Sequence, residues 1–311
     1  MNKLFRKIYG YILIVATLII WGITPIVIKS IANEVSINVQ LFIRHLTQAV
    51  VMFGILGIRR ITTKKPLLKE QKIKIKPLIV ISFFTMLNIV TYTLSINKTD
   101  AALAALIAEG FGNVVPSVIV AIFIVSEREI FKKKYIQICI AISFLASIVL
   151  AINFNEVSNI NVNVGALYMV VSQLAWGFFV MNVQKSAEKV YLIDWYAKSI
   201  LIVTALFGVL VIVNGELNEL LTLSPMLLFK LIVIGVVLDS TVTLTYYTGI
   251  KIISVVKSGI VLVLTPVLSV VLANIFLGEE LASEHIMAGA VIVIVNIYMI
   301  LKDLFIEKNK R

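Results

Sequence analysis

Long apolar runs, broken at short intervals by clusters of charge, make up almost the whole chain. Runs of this kind, without the alternation of a half-buried strand, predict helices. A bilayer span takes about 20 such residues, and ten spans fit, at approximately 8–28, 37–58, 77–97, 101–125, 133–152, 163–184, 191–213, 226–250, 254–277 and 284–302. The few polar positions inside the runs are therefore informative. Span three carries Ser82, Thr85, Asn88, Tyr92 and Ser95 at steps of three and four, which places them on one helical stripe. Such a stripe faces protein or water rather than lipid. It either lines a cavity or makes interhelical hydrogen bonds worth about 0.6 kcal/mol each, and its length favours the cavity.

Composition narrows the class. The 311 residues are 60% hydrophobic and 14% charged, well below the roughly 25% charge of a soluble domain. Spanning structure in lipid is helical or a closed barrel, and long continuous runs select helices. The net charge of +11 raises nucleic acid as a partner, but its distribution removes that reading. Lys3, Arg6 and Lys7 precede span one. Arg59, Arg60, Lys64, Lys65, Lys69, Lys72, Lys74 and Lys76 lie between spans two and three. Arg128 with Lys132–Lys134, then Lys185 with Lys189, then Lys251 occupy alternate later loops, and Lys302, Lys308, Lys310 and Arg311 follow span ten. The other loops are poor in Lys and Arg and lean acidic: Glu34, Lys98 with Asp100, Glu156, Glu216 with Glu219, and Glu279, Glu280 and Glu284. By the positive-inside rule both termini are cytoplasmic, in a cell membrane of the bacterial cytoplasmic type. The start, MNKLFRK and an apolar run, lacks a small-residue cleavage site and is expected to stay as the first span. Cys139 is the only cysteine, so no intramolecular disulfide forms.

An internal repeat runs through the chain. LIIWGITPIVIKSIA at Leu18–Ala32 aligns with QLAWGFFVMNVQKSA at Gln173–Ala187, pairing Trp21-Gly22 with Trp176-Gly177. Arg44 falls opposite Lys198 once one residue is skipped, and Tyr92–Asp100 resembles Tyr246–Ser254. The halves, residues 1–155 and 156–311, hold five spans each. An odd number makes them antiparallel, the inverted repeat of secondary transporters, whose site lies at the midplane between halves.

These residues resemble the drug/metabolite transporter superfamily, in its ten-span, two-repeat EamA-like branch. The most specific pieces are the two Trp-Gly turns and LTPVLSVVLANIFLGEELASEHIMAGAVIVI at Leu264–Ile294. The resemblance implies an all-α integral membrane fold in which spans one, three, four, six, eight and nine surround a central cavity. It implies alternating access by rocking of the halves, and puts spans two and seven at the periphery. Span four departs from the pattern: its proline is expected at Gly112 and comes at Pro116, and the closing Leu-Gly-Glu is replaced by Val125-Ser126-Glu127.

Two acids stand near mid-span, Glu109 in span four and Asp239 in span eight. A carboxylate at that depth costs roughly 2.5–3.5 kcal/mol to insert, so each either holds a proton, cation or amine or is permanently paired with Lys or Arg. Asn113 lies one turn after Glu109. Lys257, at the start of span nine, meets a substrate carboxylate or snorkels to the interface. Asp194 and Lys198, four apart, pair within one helix. Arg44 is expected as a structural anchor in a peripheral span. Trp21, Trp176, Tyr92, Tyr246 and Tyr247 are candidates for aromatic walls around an amine or aromatic solute. Pro25, Pro116 and Pro266 mark candidate kinks.

No HExxH, Cys/His ligand cluster or phosphate-cradling loop occurs, so neither enzyme nor cofactor chemistry is supported. The expected protein is a permease for a small polar metabolite, an amino acid or amine-bearing solute, with possible proton or cation coupling and lipid as its surroundings. A lipophilic drug exporter and a non-transporting scaffold or receptor are the alternatives.

Overall fold

A computed structural model describes residues 3–63, 75–123, 132–150, 152–153, 161–187, 192–253, 258, 261–262 and 264–309. The helices are α1 (Lys3–Ser30), α2 (Ile37–Thr63), α3 (Ile75–Lys98), α4 (Ala101–Phe123), α5 (Lys134–Leu150), α6 (Val164–Ala187), α7 (Leu192–Val213), the short α8 (Leu217–Leu221), α9 (Pro225–Ile234), α10 (Val242–Ile253), α11 (Thr265–Leu277) and α12 (Ser283–Asn309). Between α9 and α10 the backbone widens into a π-helix at Gly235–Thr241. Two two-residue strands, β1 (Ile152–Asn153) and β2 (Asn161–Val162), pair antiparallel in the link between the halves, a small departure from an all-helical chain.

Among the described residues, six helical stretches are long and apolar enough to cross a membrane: Phe5–Ser30, Ile37–Arg59, Ile75–Lys98, Val164–Asn182, Asp194–Val213 and Pro225–Gly249. Ala101–Gly112, Lys134–Leu150, Thr265–Leu277 and Ser283–Met299 are shorter apolar helices. Large apolar side chains such as Val50, Ile79, Val213, Ile275 and Met287 point outward. In water that surface would be unstable, whereas against acyl chains it costs nothing. The chain is a multi-pass membrane protein.

Packing repeats between the halves. α3 lies on α6 and α1 on α10; α4 lies on α6 and α1 on α11; α3 meets α7 and α2 meets the π-helix. Three further contacts, α2 with α7, α4 with α11 and α5 with α12, join like helices of the two halves, while α4 also packs on α5 within the first half. Apart from that last contact, exchanging the halves turns each of these contacts into another or into itself, the two-repeat layout anticipated from the Trp-Gly pairs.

Local chemistry explains where elements start, stop and touch. Ser224 caps α9 by accepting the Leu227 N–H, and Pro225 occupies the first turn, where its missing donor costs nothing. Gly278 ends α11 at φ +66°, a left-handed conformation that suits glycine. In α1, Pro25 has no N–H to give the Trp21 carbonyl. One residue on, the Gly22 carbonyl accepts Ser269 Oγ of α11 at 2.9 Å. A methyl on Gly22 would sit 2.7 Å from Leu268, so the small residue lets α11 approach.

Candidate functional site

Arg44 and Asp239 meet across the two halves. Arg44 Nε donates to Asp239 Oδ2 at 3.0 Å and Nη2 to Oδ1 at 2.8 Å, with the two side chains 4% and 12% exposed. The geometry is the two-pronged form that guanidinium and carboxylate favour. It changes where Arg44 is anchored: α2 holds it not at the rim but against the π-helix of the other half. Of the two readings open for Asp239, pairing with a base is the one this conformation matches.

The π-helix makes that approach possible. Its wide turn is closed by side chains: Ser240 Oγ donates to the Gly235 carbonyl at 2.8 Å and Thr241 Oγ1 to the Val236 carbonyl at 2.9 Å, both five residues back. Gly235 lies against α2, where a Cβ would stand 2.6 Å from the Arg44 carbonyl. Short π segments recur at functional sites, because they re-aim side chains within a continuous helix.

Gln48, one turn after Arg44, completes the polar cluster. Its Nε2 donates to the Asp239 carbonyl at 2.7 Å and reaches Thr243 Oγ1 at 3.4 Å and Tyr196 Oη at 3.5 Å. Its Oε1 lies 3.0 Å from His45 Nδ1, and the His45 ring stacks on Phe207. Among the described residues, Arg44 Nη1 and His45 Nε2 are buried with no hydrogen-bond partner.

From this cluster an unbroken file of rings joins the two Trp-Gly positions. Trp21 lies 5.1 Å from Tyr246 between ring centroids, Tyr246 5.3 Å from Tyr247, and Tyr247 6.2 Å from Tyr196. Tyr196 then stands 6.5 Å from Phe179, which stacks on Trp176 at 5.1 Å. All of these spacings lie in the range of about 4.5–7 Å in which aromatic pairs attract. Thr17 and Thr245, 2.9 Å apart between hydroxyls, tie α1 to α10 beside it.

Other candidates sit apart. Asn88 Nδ2 donates to the carbonyl and hydroxyl of Ser172 at 2.9 and 2.8 Å, joining α3 to α6. Ser82 bonds Ser199 of α7 at 3.2 Å, so at these two positions the stripe of α3 serves interhelical bonding rather than an open wall. Tyr92 packs on the apolar cluster of α4, α5, α6 and α12. Lys198 pairs with Asp194 at 2.9 Å, as their spacing anticipates. Glu109 and Asn113 belong to α4, but their side chains lie outside the described residues, as does Lys257 altogether.

A separate cavity of about 230 Å³ opens at one end of the bundle, lined by Lys98, Thr99, Asp100, Asn163, Glu280 and His285 among others. It stands over the turn from α3 to α4. Sequence reasoning missed Gln48, Tyr196 and Phe179. Gln48 was accessible, being one turn from Arg44 on the same face, while the two aromatics carry no signal that separates them from packing residues.

Two packed repeats of apolar helices with a polar centre between them define a two-repeat membrane carrier fold. The EamA-like transporter family matches residues 8–153 and again 163–302, and the chain belongs to that family, a membrane transporter of the drug/metabolite transporter superfamily. Its members are transporters rather than enzymes. A solved structure titled "Crystal structure of protein" superposes with a TM-score of 0.60 at 13% identity, covering 95% of this chain and 96% of that one, a likeness of fold. No curated protein matches the chain.

Proposed function

We propose that the protein is a secondary active transporter that moves a small polar metabolite, an amino acid or amine-bearing solute, across the cytoplasmic membrane. The halves alternate access by rocking about the contacts between like helices. The observation that carries this reading is the buried Arg44–Asp239 pair, which joins the halves beside a file of aromatic rings. Ionised groups at membrane depth are retained for transport or coupling more readily than for stability. Trp21, Tyr246 and Trp176 offer ring faces to an ammonium or an apolar side chain. Glu109, in the same helix as Gly110 and Gly112, is the proton- or cation-coupling candidate, with Asn113 and Lys257 as further polar contacts. Both termini face the cytoplasm in this scheme, and residues 1–155 and 156–311 form the two moving halves.

Reconstitution in liposomes tests the proposal. Radiolabelled amino acids and amines should accumulate under an imposed proton gradient, and Glu109→Gln should abolish or uncouple that flux while the protein stays monodisperse. Flux restricted to lipophilic dyes would instead identify a drug exporter. Absence of any flux would leave a scaffold or receptor.

A further inference from the structure

We infer that Arg44 and Asp239 form a zwitterion site by exchange of partners: an incoming solute gives its carboxylate to Arg44 and its ammonium to Asp239. The inference rests on the transport reading above and narrows it, because a bare amine lacks half of what the site offers.

Three observations carry it. First, the pair is buried at membrane depth, where separating the charges without replacement is prohibitive. A zwitterion replaces both partners at once and leaves the net charge of the dry interior at zero, whereas an amine or a carboxylic acid alone strands one charge. Second, the guanidinium is not used up. Asp239 engages Nε and Nη2, while Nη1 is buried with no partner among the described residues. A buried donor left unpaired costs free energy that a second acceptor recovers, and a carboxylate is the acceptor whose shape fits the fork.

Third, the cluster has an apolar flank. Tyr196 meets Gln48 at its hydroxyl end, and its ring continues into Tyr247, Tyr246 and Trp21. Charges of both signs next to aromatic surface match an α-amino acid with an apolar side chain. The second half has no equivalent, since its corresponding cation, Lys198, is held by Asp194 one turn away in its own helix.

The test uses the purified full-length protein in nanodiscs, with L-phenylalanine and L-leucine as probes. Each is compared with its amide, which has lost the carboxylate charge, and with the amine formed by decarboxylation. Thermal shift and equilibrium binding should give the two amino acids an affinity at least about tenfold above amides and amines, the loss of one charge-assisted hydrogen bond. Arg44→Lys should narrow that gap. The paired variant Arg44→Met with Asp239→Leu, which preserves volume without stranding a charge, should abolish discrimination while its monodispersity is unchanged.

Equal binding of amide, amine and amino acid overturns the exchange site, as does no binding of either amino acid. The transport proposal is judged separately by flux in liposomes over the wider panel of solutes. Flux of amines without preference for amino acids would therefore sink the zwitterion site and leave that proposal standing.

Discussion

Glu279 caps the helix that begins at Ala101. Its Oε1 accepts the Ala101 N–H at 2.8 Å, and Oε2 accepts the Ala102 N–H at 2.9 Å, from the opposite half of the molecule. On the other side of the same turn, Lys29 Nζ donates to the Ile96 and Thr99 carbonyls at 3.0 and 2.7 Å. The α3–α4 corner is thus held by an anion at one helix start and a cation at the other helix end, each matching the local dipole. Glu279→Ala should lower stability by about 0.5–2 kcal/mol, the usual loss of a capping side chain, with Glu279→Gln intermediate. Melting of the detergent-solubilised protein measures this, and an unchanged midpoint for the alanine variant would refute the cap.

Asp239→Leu alone strands a buried guanidinium and should cost about 3–5 kcal/mol. Combining it with Arg44→Met should recover most of that loss, because no uncompensated charge remains. A double-mutant cycle on unfolding midpoints reads the coupling. Additive losses would mean that the two side chains do not depend on each other.

Gly235→Ala should destabilise by about 1–3 kcal/mol, since its Cβ would press on the Arg44 carbonyl and the chain must shift to admit it. Gly54→Ala, with nothing within 4 Å of the new atom, serves as the control and should be neutral or mildly stabilising. Equal behaviour of the two variants would contradict the close approach of α2 to the π-helix.

Loop charge predicts sidedness. In a Cys139→Ser background, a membrane-impermeant maleimide added to intact cells should label Asn218→Cys and not Lys69→Cys. Labelling of Lys69→Cys from outside would invert the proposed orientation.

The helices were legible because a bilayer leaves a long, uniform apolar signature, and the two-repeat layout because Trp-Gly recurs at matching places. Asp194 with Lys198 was legible too, since four residues on a helix are neighbours. Arg44 was not: its partner lies 195 residues away, and placing α2 at the rim concealed which face it buries. The π-helix leaves no periodic trace, because one wide turn barely alters an apolar pattern, so the aim of Asp239 was unreadable. Asn88 looked like a cavity residue for want of a visible partner, which Ser172 in the other half supplies.

The Arg44–Asp239 bond also bears on how interchangeable the halves are. Seven residues before Tyr246 stands Asp239; seven before Tyr92, its counterpart in the repeat, stands Thr85. A protein made of two copies of the first half would bury two arginines opposite threonines, whereas two copies of the second would set each Asp239 against Lys198, a cation that Asp194 already holds. Only the unlike pairing sets Asp239 against a guanidinium with no second carboxylate beside it, so the centre of the fused chain is one that neither half would build with a copy of itself.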